Sequence, residues 1–370
     1  MRGKIEVNLA ALRHNWSELN TQAAGECGAV VKADAYGLGV DAVAPALAAE
    51  GCRSFFVANL EEGIELRKIL GISPEARIIV FAGADRNELE ALEEYRLTPV
   101  ITSLSVLRHI EHYRKRNSFA FADVLLQLDV GMNRYGLSSE EFDQLRERSP
   151  ETLRKLSPKM LMAHFSCAES PDSELTRAQV RRMQTAHEQL TALGLTNIKT
   201  SYANSQALFS LPDVSDDLSR PGIAIYGGYT EGFSGKRQRD VVKVSATVRQ
   251  IRTLRKGEPV GYGADFIAPH DMPIAIVGLG YADGLPRTPP LQGQQTFFYC
   301  GEKALPVVGR VSMDACAVDL GQLSADVSSK LDALTLFETG EQLKRLAESY
   351  GTIDYEILTR LSARFRRECS

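Results

Sequence analysis

A lysine that closes a buried apolar run is the first residue in this chain that calls for a chemical explanation. Ala29-Val-Val-Lys32 leads into Ala-Asp-Ala-Tyr36-Gly, and burying an ammonium is costly unless it is paired or neutralised. One reading is an amine of lowered pKa that condenses with a carbonyl group. The other is a rim lysine with its head in water, and position alone leaves both open. Further polar residues follow later apolar runs: Arg134 in Gly131-Met-Asn-Arg134, His164 in Ala163-His-Phe-Ser166, Asn204-Ser205 after Tyr202, and Arg220-Pro-Gly222-Ile223. Ser205 and the backbone N–H groups around Gly222 are the material of a phosphate cradle. His164 suits ring stacking or hydrogen bonding as well as a purely structural place. A lysine, two arginines and a phosphate cradle at successive run ends point to one site.

Other chemistries lack their residues. Gly278-Leu-Gly280-Tyr-Ala-Asp-Gly284 has the wrong glycine spacing for a dinucleotide loop. No G-x-x-x-x-G-K-[ST], H-E-x-x-H or G-x-S-x-G pattern occurs. The six histidines do not cluster in sequence, and no metal is expected.

The elements that must carry these residues alternate. Eight short apolar runs occupy the first part of the chain: Ala29–Lys32, Phe55–Asn59, Arg77–Phe81, Pro99–Thr102, Asp123–Asp129, Leu161–Phe165, Ile198–Tyr202 and Gly222–Tyr226. They lack polar alternation, as strands buried on both faces do. Helical spacing such as Leu89/Leu92 and Val180/Met183/Leu190 lies between them. The pattern predicts an α/β fold, a (β/α)8 TIM-like barrel over 1–232, with a first strand at about 1–8 that packs with the C-terminal domain. Ser234–Asp240 reads as a polar linker. Beyond it, closer and more alternating runs (Val242–Leu254, Pro273–Leu279, Thr296–Tyr299, Ala304–Val311 and Ala315–Leu320) with a late helix at Glu341–Tyr350 predict a mostly β C-terminal domain over 233–370.

Bulk composition agrees with an ordinary globular protein. The 370 residues carry 43 Lys and Arg against 47 Asp and Glu, a net charge of −4 that argues against a nucleic-acid-binding surface. Hydrophobic residues at 44% and charged residues at 24% exclude a disordered or fibrous chain. The charged start of the chain shows no signal-peptide pattern, and no apolar stretch reaches the roughly 20 residues of a membrane span. Six scattered cysteines read as free thiols in a reducing cytoplasm.

Taken with their order, these motifs resemble the alanine racemase family, whose enzymes carry pyridoxal phosphate on a barrel lysine. The likeness spans both halves: A-V-V-K-A-D-A-Y-G at Ala29–Gly37, G-M-x-R at Gly131–Arg134, A-N-S at Ala203–Ser205 and R-x-G-I-x-x-Y-G at Arg220–Gly227. It continues with V-G-Y-G at Val260–Gly263, G-Y-A-D-G at Gly280–Gly284, G-R-V-S-M-D at Gly309–Asp314 and G-T-I-x-Y-E at Gly351–Glu356. The resemblance implies that Lys32 carries the cofactor and is one catalytic base. It implies that Tyr36, Ser205, Gly222, Ile223 and Tyr355 hold the phosphate, with Asn204 and His164 beside the cofactor. Arg220 faces the pyridine nitrogen, and Arg134 faces the phenolic oxygen and the substrate. It also implies a homodimer in which the partner subunit supplies Tyr262 as second base, with Met313 and Asp314 against the substrate and Tyr281, Arg287 and Arg310 at the entrance. The implied reaction interconverts L- and D-alanine and supplies D-alanine for peptidoglycan.

Several positions depart from the family pattern. A lysine that is often carbamylated is Gln127 here, the usual histidine of A-Y-G-H-G is Leu38, and a histidine behind the pyridine-facing arginine is Ser201. The C-terminal R-x-P-R pattern reads Arg364-Phe-Arg366-Arg367, without the proline. The alternatives are a racemase of another or broader amino-acid range, a decarboxylase of the same architecture, and a non-catalytic pyridoxal phosphate carrier. The G-Y-G around Tyr262 and the lack of a catalytic cysteine motif speak against the decarboxylase, and the β-rich half speaks against the carrier.

Overall fold

Short parallel strands with no polar alternation do form one curled sheet. The computed structural model describes residues 3–71, 75–117, 123–211 and 216–370. Seven strands lie side by side in chain order: Ala29–Val30, Ser54–Val57, Arg77–Val80, Leu97–Ile101, Leu125–Gln127, Met160–Met162 and Lys199–Ser201. Each pairs in parallel with the next, as in Phe55 with Ile78 and Leu126 with Leu161. All four residues of Ser54–Val57 are buried, because one face meets the barrel interior and the other the helices outside.

The eighth position differs from the sequence expectation. Gly222–Tyr226 is not a strand but a series of tight turns, with Ile225 N–H bonded to Gly222 O (2.9 Å) and Tyr226 N–H to Ile223 O (3.1 Å). The run is apolar because it is buried, and burial does not require extension. The strand that fills the gap is Leu218–Ser219, which pairs in parallel with Glu26–Cys27. Asp217 N–H reaches Thr200 O (3.0 Å) and Arg220 N–H reaches Ala203 O (2.8 Å) on the other side, so the barrel closes. At two residues, this strand is too short to leave a hydrophobic pattern.

The polar linker stretch Ser234–Asp240 is held to the first part of the chain by hydrogen bonds. Buried Asn15 exchanges two hydrogen bonds with the Arg239 backbone (2.7 and 2.9 Å), and Gln238 Nε2 donates to the carbonyls of Ala224 (3.0 Å) and Gly228 (2.8 Å). The Gln238 side chain and the Arg239 backbone are its internal ties.

Beyond it, the thirteen-residue strand Val242–Leu254 is the spine of an eight-stranded, mainly antiparallel sheet. It pairs with Met272–Val277, with Ala333–Phe337 and with Gly3–Val7, the first strand of the chain. Gly3–Val7 pairs in turn with the last strand, Arg366–Cys369, in parallel, and its alternating burial matches a sheet with one covered face. Among the described residues no helix is long and apolar enough to cross a membrane, and no three His, Cys, Asp or Glu side chains are placed to hold a metal.

Candidate active site

Parallel strands in a ring end on one face, so residues far apart in sequence meet there. A cavity of about 510 Å³ at that face is lined by Lys32, Tyr36, Gln127, Arg134, His164, Asn204, Ser205, Arg220, Gly222 and Tyr355. Lys32 follows the first strand of the ring, His164 follows Met160–Met162, and Asn204 and Ser205 follow Lys199–Ser201. Tyr355 comes from the β-domain, on the helix Asp354–Thr359. Among the described residues no aspartate or glutamate lines the cavity, whereas one lysine and two arginines do. Such a field favours an anion.

Burial lowers the Lys32 pKa, the Arg134 charge lowers it further, and Glu62 partly opposes both. The amine therefore loses its proton more readily than an exposed lysine does. Its Nζ lies 5.8 Å from the Phe81 ring centroid. Burial, then Arg220, Arg134 and Lys32, push His164 down to about 3, so its imidazole is neutral at neutral pH.

Arg220 is held by neutral partners. Its Nη1 donates to Ser201 Oγ (2.6 Å) and its Nη2 to Ala163 O (2.7 Å), while Ser201 Oγ donates to Leu218 O (2.6 Å). Burial lowers its pKa to about 10, against the opposing charge of Asp216, which leaves it protonated at neutral pH. Gln127, at the carbamylated-lysine position of the family, is buried and donates through Nε2 to Tyr135 O (3.0 Å).

The phosphate-type cradle is built around Gly222. Ser205 Oγ accepts from Gly222 N–H (2.9 Å) and Ala224 N–H (3.3 Å). A Cβ on Gly222 would stand 2.3 Å from Tyr36 Oη, so the glycine keeps open a space bounded by a tyrosine hydroxyl, a serine hydroxyl and turn amides. Ile223 is buried in the same turn. The Tyr36 ring packs at a tilt against Tyr226 (4.7 Å between centroids) and Tyr355 (5.8 Å). These groups suit a phosphate, and the lysine beside them suits a carbonyl compound that carries one.

Tyr262, Tyr281, Arg287, Arg310, Met313 and Asp314 do not line this cavity. They gather in the β-domain instead. Tyr262 is 67% exposed between Gly261 (φ 80°) and Gly263 (φ 79°), on a turn that packs against Arg310. Tyr281 N–H and Ala282 N–H bond to the carbonyls of Ser312 and Met313, both at 3.0 Å. Arg310 pairs with Asp265, and Arg364 with both Asp314 and buried Asp283. Arg287 and Arg310 line a separate cavity of about 460 Å³.

Some supporting residues carried little or no sequence signal. Asp129 accepts four backbone N–H groups, from Gly131 through Arg134 (2.8–3.1 Å), and so shapes the loop that presents Arg134. Asp216 accepts from Tyr202 N–H and Ala203 N–H (both 2.9 Å) and from Ser219 Oγ (2.7 Å). An aspartate two residues before a glycine is the one faint cue, and it serves only the first.

Comparison with known proteins covers both halves of the chain. The family model "Alanine racemase, N-terminal domain" matches residues 7–230, and "Alanine racemase, C-terminal domain" matches 241–369. An alanine racemase of Cereibacter sphaeroides is 39% identical over 98% of this chain and 97% of the relative. A catabolic alanine racemase of Agrobacterium fabrum is 37% identical over 99% and 91%. Among solved structures, alanine racemase from Bartonella henselae with covalently bound pyridoxal phosphate superposes with a TM-score of 0.90 at 31% identity, covering 100% of both chains. The biosynthetic alanine racemase from Pseudomonas aeruginosa gives 0.84 at 32%, covering 100% and 99%.

Proposed function

The chain belongs to the alanine racemase family, and from that premise we propose that it interconverts L- and D-alanine with pyridoxal phosphate carried on Lys32. The observation that carries the reading is the barrel-mouth cavity, in which a lysine of lowered pKa, two arginines and the Gly222 cradle meet with no carboxylate among the lining residues. Tyr36, Ser205, Gly222, Ile223 and Tyr355 would hold the phosphate, and His164 and Asn204 would flank the ring. When bound, the cofactor supplies an electron sink that acidifies the α-proton of the amino acid.

Racemisation removes that proton on one face and returns one on the other, which two bases on opposite sides accomplish without either having to move. In this proposal Lys32 is one base, and burial with the nearby Arg134 charge, by lowering its pKa, favours the free amine that accepts a proton. Tyr262 of a second copy is the other. Its exposure, outside the Lys32 cavity of its own chain, supports a shared site in a homodimer. Met313 and Asp314 would arrive with it against the substrate, and Tyr281, Arg287 and Arg310 at the entrance. Arg220 stays protonated, so a ring nitrogen facing it would accept a hydrogen bond and take no proton. An arginine in that place would leave a bound cofactor a weaker electron sink than a carboxylate partner would. Arg134 would steer the anionic groups of substrate and cofactor.

The product D-alanine would serve peptidoglycan, in the cytoplasm, where the six free cysteines are at home. The test is proton NMR of the purified protein with pyridoxal phosphate in D₂O, following loss of the α-proton for each of a set of L-amino acids, with a chiral assay of the product. Exchange of alanine with accumulation of D-alanine supports the proposal. No exchange with the cofactor bound refutes it.

A further inference from the structure

The segment after Lys32 has a backbone that its sequence does not advertise. Ala33, Asp34, Ala35 and Tyr36 all lie in the left-handed region (φ 53°, 54°, 52° and 59°), one complete left-handed turn without a glycine. Every Cβ in such a turn crowds its own carbonyl, so the turn persists only where its surroundings hold it. Its far end is tied to the β-domain: Arg367 Nε donates to Gly37 O (3.0 Å), and a Cβ on Gly37 would stand 2.6 Å from Leu358 O. In the middle, Asp34 Oδ1 accepts from Val40 N–H (2.7 Å).

The near end, next to the lysine, is tied by one side chain. Glu62 occupies the third position of the helix Leu60–Leu70, which Asn59 caps by accepting from Glu62 N–H (3.0 Å). A glutamate there ordinarily folds back onto the N–H of the cap residue itself. Here it does something else. Glu62 Oε2 accepts from Ala58 N–H (2.7 Å), just past the strand Ser54–Val57, and Oε1 reaches across to Ala33 N–H (2.8 Å), the residue after Lys32. One carboxylate thus stitches the first amide of the strained turn to the end of the neighbouring strand.

Resting on the reading of Lys32 as the cofactor-carrying residue, we propose that Glu62 is a positioning residue for Lys32, clamping the left-handed turn that aims the amine and placing a negative charge beside it. Of the groups around Lys32, Arg134 opposes its proton and Glu62 favours it; Arg220, neutral His164, Tyr36 and Tyr355 complete the cavity. Glu62 therefore keeps the amine from losing its proton too early and keeps it pointed at the Gly222 cradle.

The test uses the full chain freed of cofactor, so that the amine itself is read. Trace acetylation with acetic anhydride across pH, quantified at Lys32 by mass spectrometry, gives its titration midpoint. Titration with pyridoxal phosphate, followed by visible absorbance, gives affinity. Glu62→Gln removes the charge and places an amide NH₂ against one of the two N–H groups. It should lower the Lys32 midpoint and weaken pyridoxal phosphate by about tenfold, the scale of one lost bond to a charged acceptor. Glu61→Gln removes the same charge from the same helical turn without touching the loop and should match the parent in both. Unchanged midpoint and affinity in Glu62→Gln overturn the proposal. Should that variant not fold, Glu62→Asp, too short to reach both amides, decides: affinity equal to that of Glu61→Gln overturns the proposal, and weaker affinity upholds it. Retention of cofactor absorbance in Lys32→Ala would instead overturn the role of Lys32, while the acetylation midpoint still decides the role of Glu62.

Discussion

Replacing Gly222 by alanine isolates a single steric contact. The Gly222 φ lies outside the left-handed range, so alanine meets no backbone penalty there. Its Cβ would stand 2.3 Å from Tyr36 Oη and 2.9 Å from Tyr36 Cζ, roughly 1 Å inside ordinary contact. Tyr36 has little room to yield: it is 5% exposed, its ring lies between Tyr226 and Tyr355, and its backbone belongs to the left-handed turn. The strain must pass to the loop, pulling Gly222 N–H from Ser205 Oγ, which it now meets at 2.9 Å. Overpacking of this kind costs about 1–3 kcal/mol. If that falls on the holo state, pyridoxal phosphate binds about 5- to 150-fold more weakly. Absorbance titration measures the loss, and inorganic phosphate as competitor checks that the cradle is what suffers. Tyr36→Phe removes the nearest atom, so the double variant should bind better than the two single losses combined. Wild-type affinity in Gly222→Ala, or strict additivity in the double variant, would refute the reasoning.

Other perturbations reach other parts of the site. Lys32→Ala should abolish the absorbance of lysine-bound cofactor, and a retained band counts against the assignment. Tyr262→Phe should slow α-proton removal from L-alanine far more than from D-alanine, and mixing it with Lys32→Ala protein should restore part of the activity through hybrid dimers; no recovery despite demonstrated subunit exchange would place the whole site within one chain. His164 is neutral in the fold, with a pKa of about 3, and titrates near 6.5 when unfolded. The unfolded chain binds the extra proton, so this contribution to stability is full above about pH 6.5 and is lost as pH falls toward 3. Urea midpoints across that window should slope less for His164→Asn than for the parent, and parallel slopes would reject the assignment. Arg364→Ala removes the cation that ties Asp314 to buried Asp283. Thermal stability should fall by about 1–3 kcal/mol, with a larger rise in KM for alanine than in Kd for pyridoxal phosphate; an equal rise in both would show that Arg364 does not act through the Met313–Asp314 loop.

The barrel and the β-rich half were legible because burial leaves a mark in composition. Strands covered on both faces read as unbroken apolar runs, and those covered on one face alternate. The same logic misplaced the eighth strand, since Gly222–Tyr226 is buried as turns while the true strand, Leu218–Ser219, is too short to show a pattern. The polar linker Ser234–Asp240 carries ties that its composition did not show, through the Gln238 side chain and the Arg239 backbone. Polarity in a sequence tells that a group needs partners, not where they are.

Residue types and order by themselves determined the chemistry on offer: an amine at the end of a buried run, two permanent cations, hydroxyls beside a glycine turn, and the resemblance these carry. Tertiary structure decided what that chemistry becomes. Closing a ring of parallel strands brings Lys32, Arg134, His164, Ser205 and Arg220 to one mouth without a carboxylate among them, and burial there, with the neighbouring cations, lowers the Lys32 pKa and keeps His164 neutral. The left-handed turn at Ala33–Tyr36 and the reach of Glu62 to it were invisible in the sequence for the same reason. Alanine and tyrosine have no local preference for that backbone and aspartate adopts it only singly, so a full turn of it is held by contacts from distant elements as well as local ones.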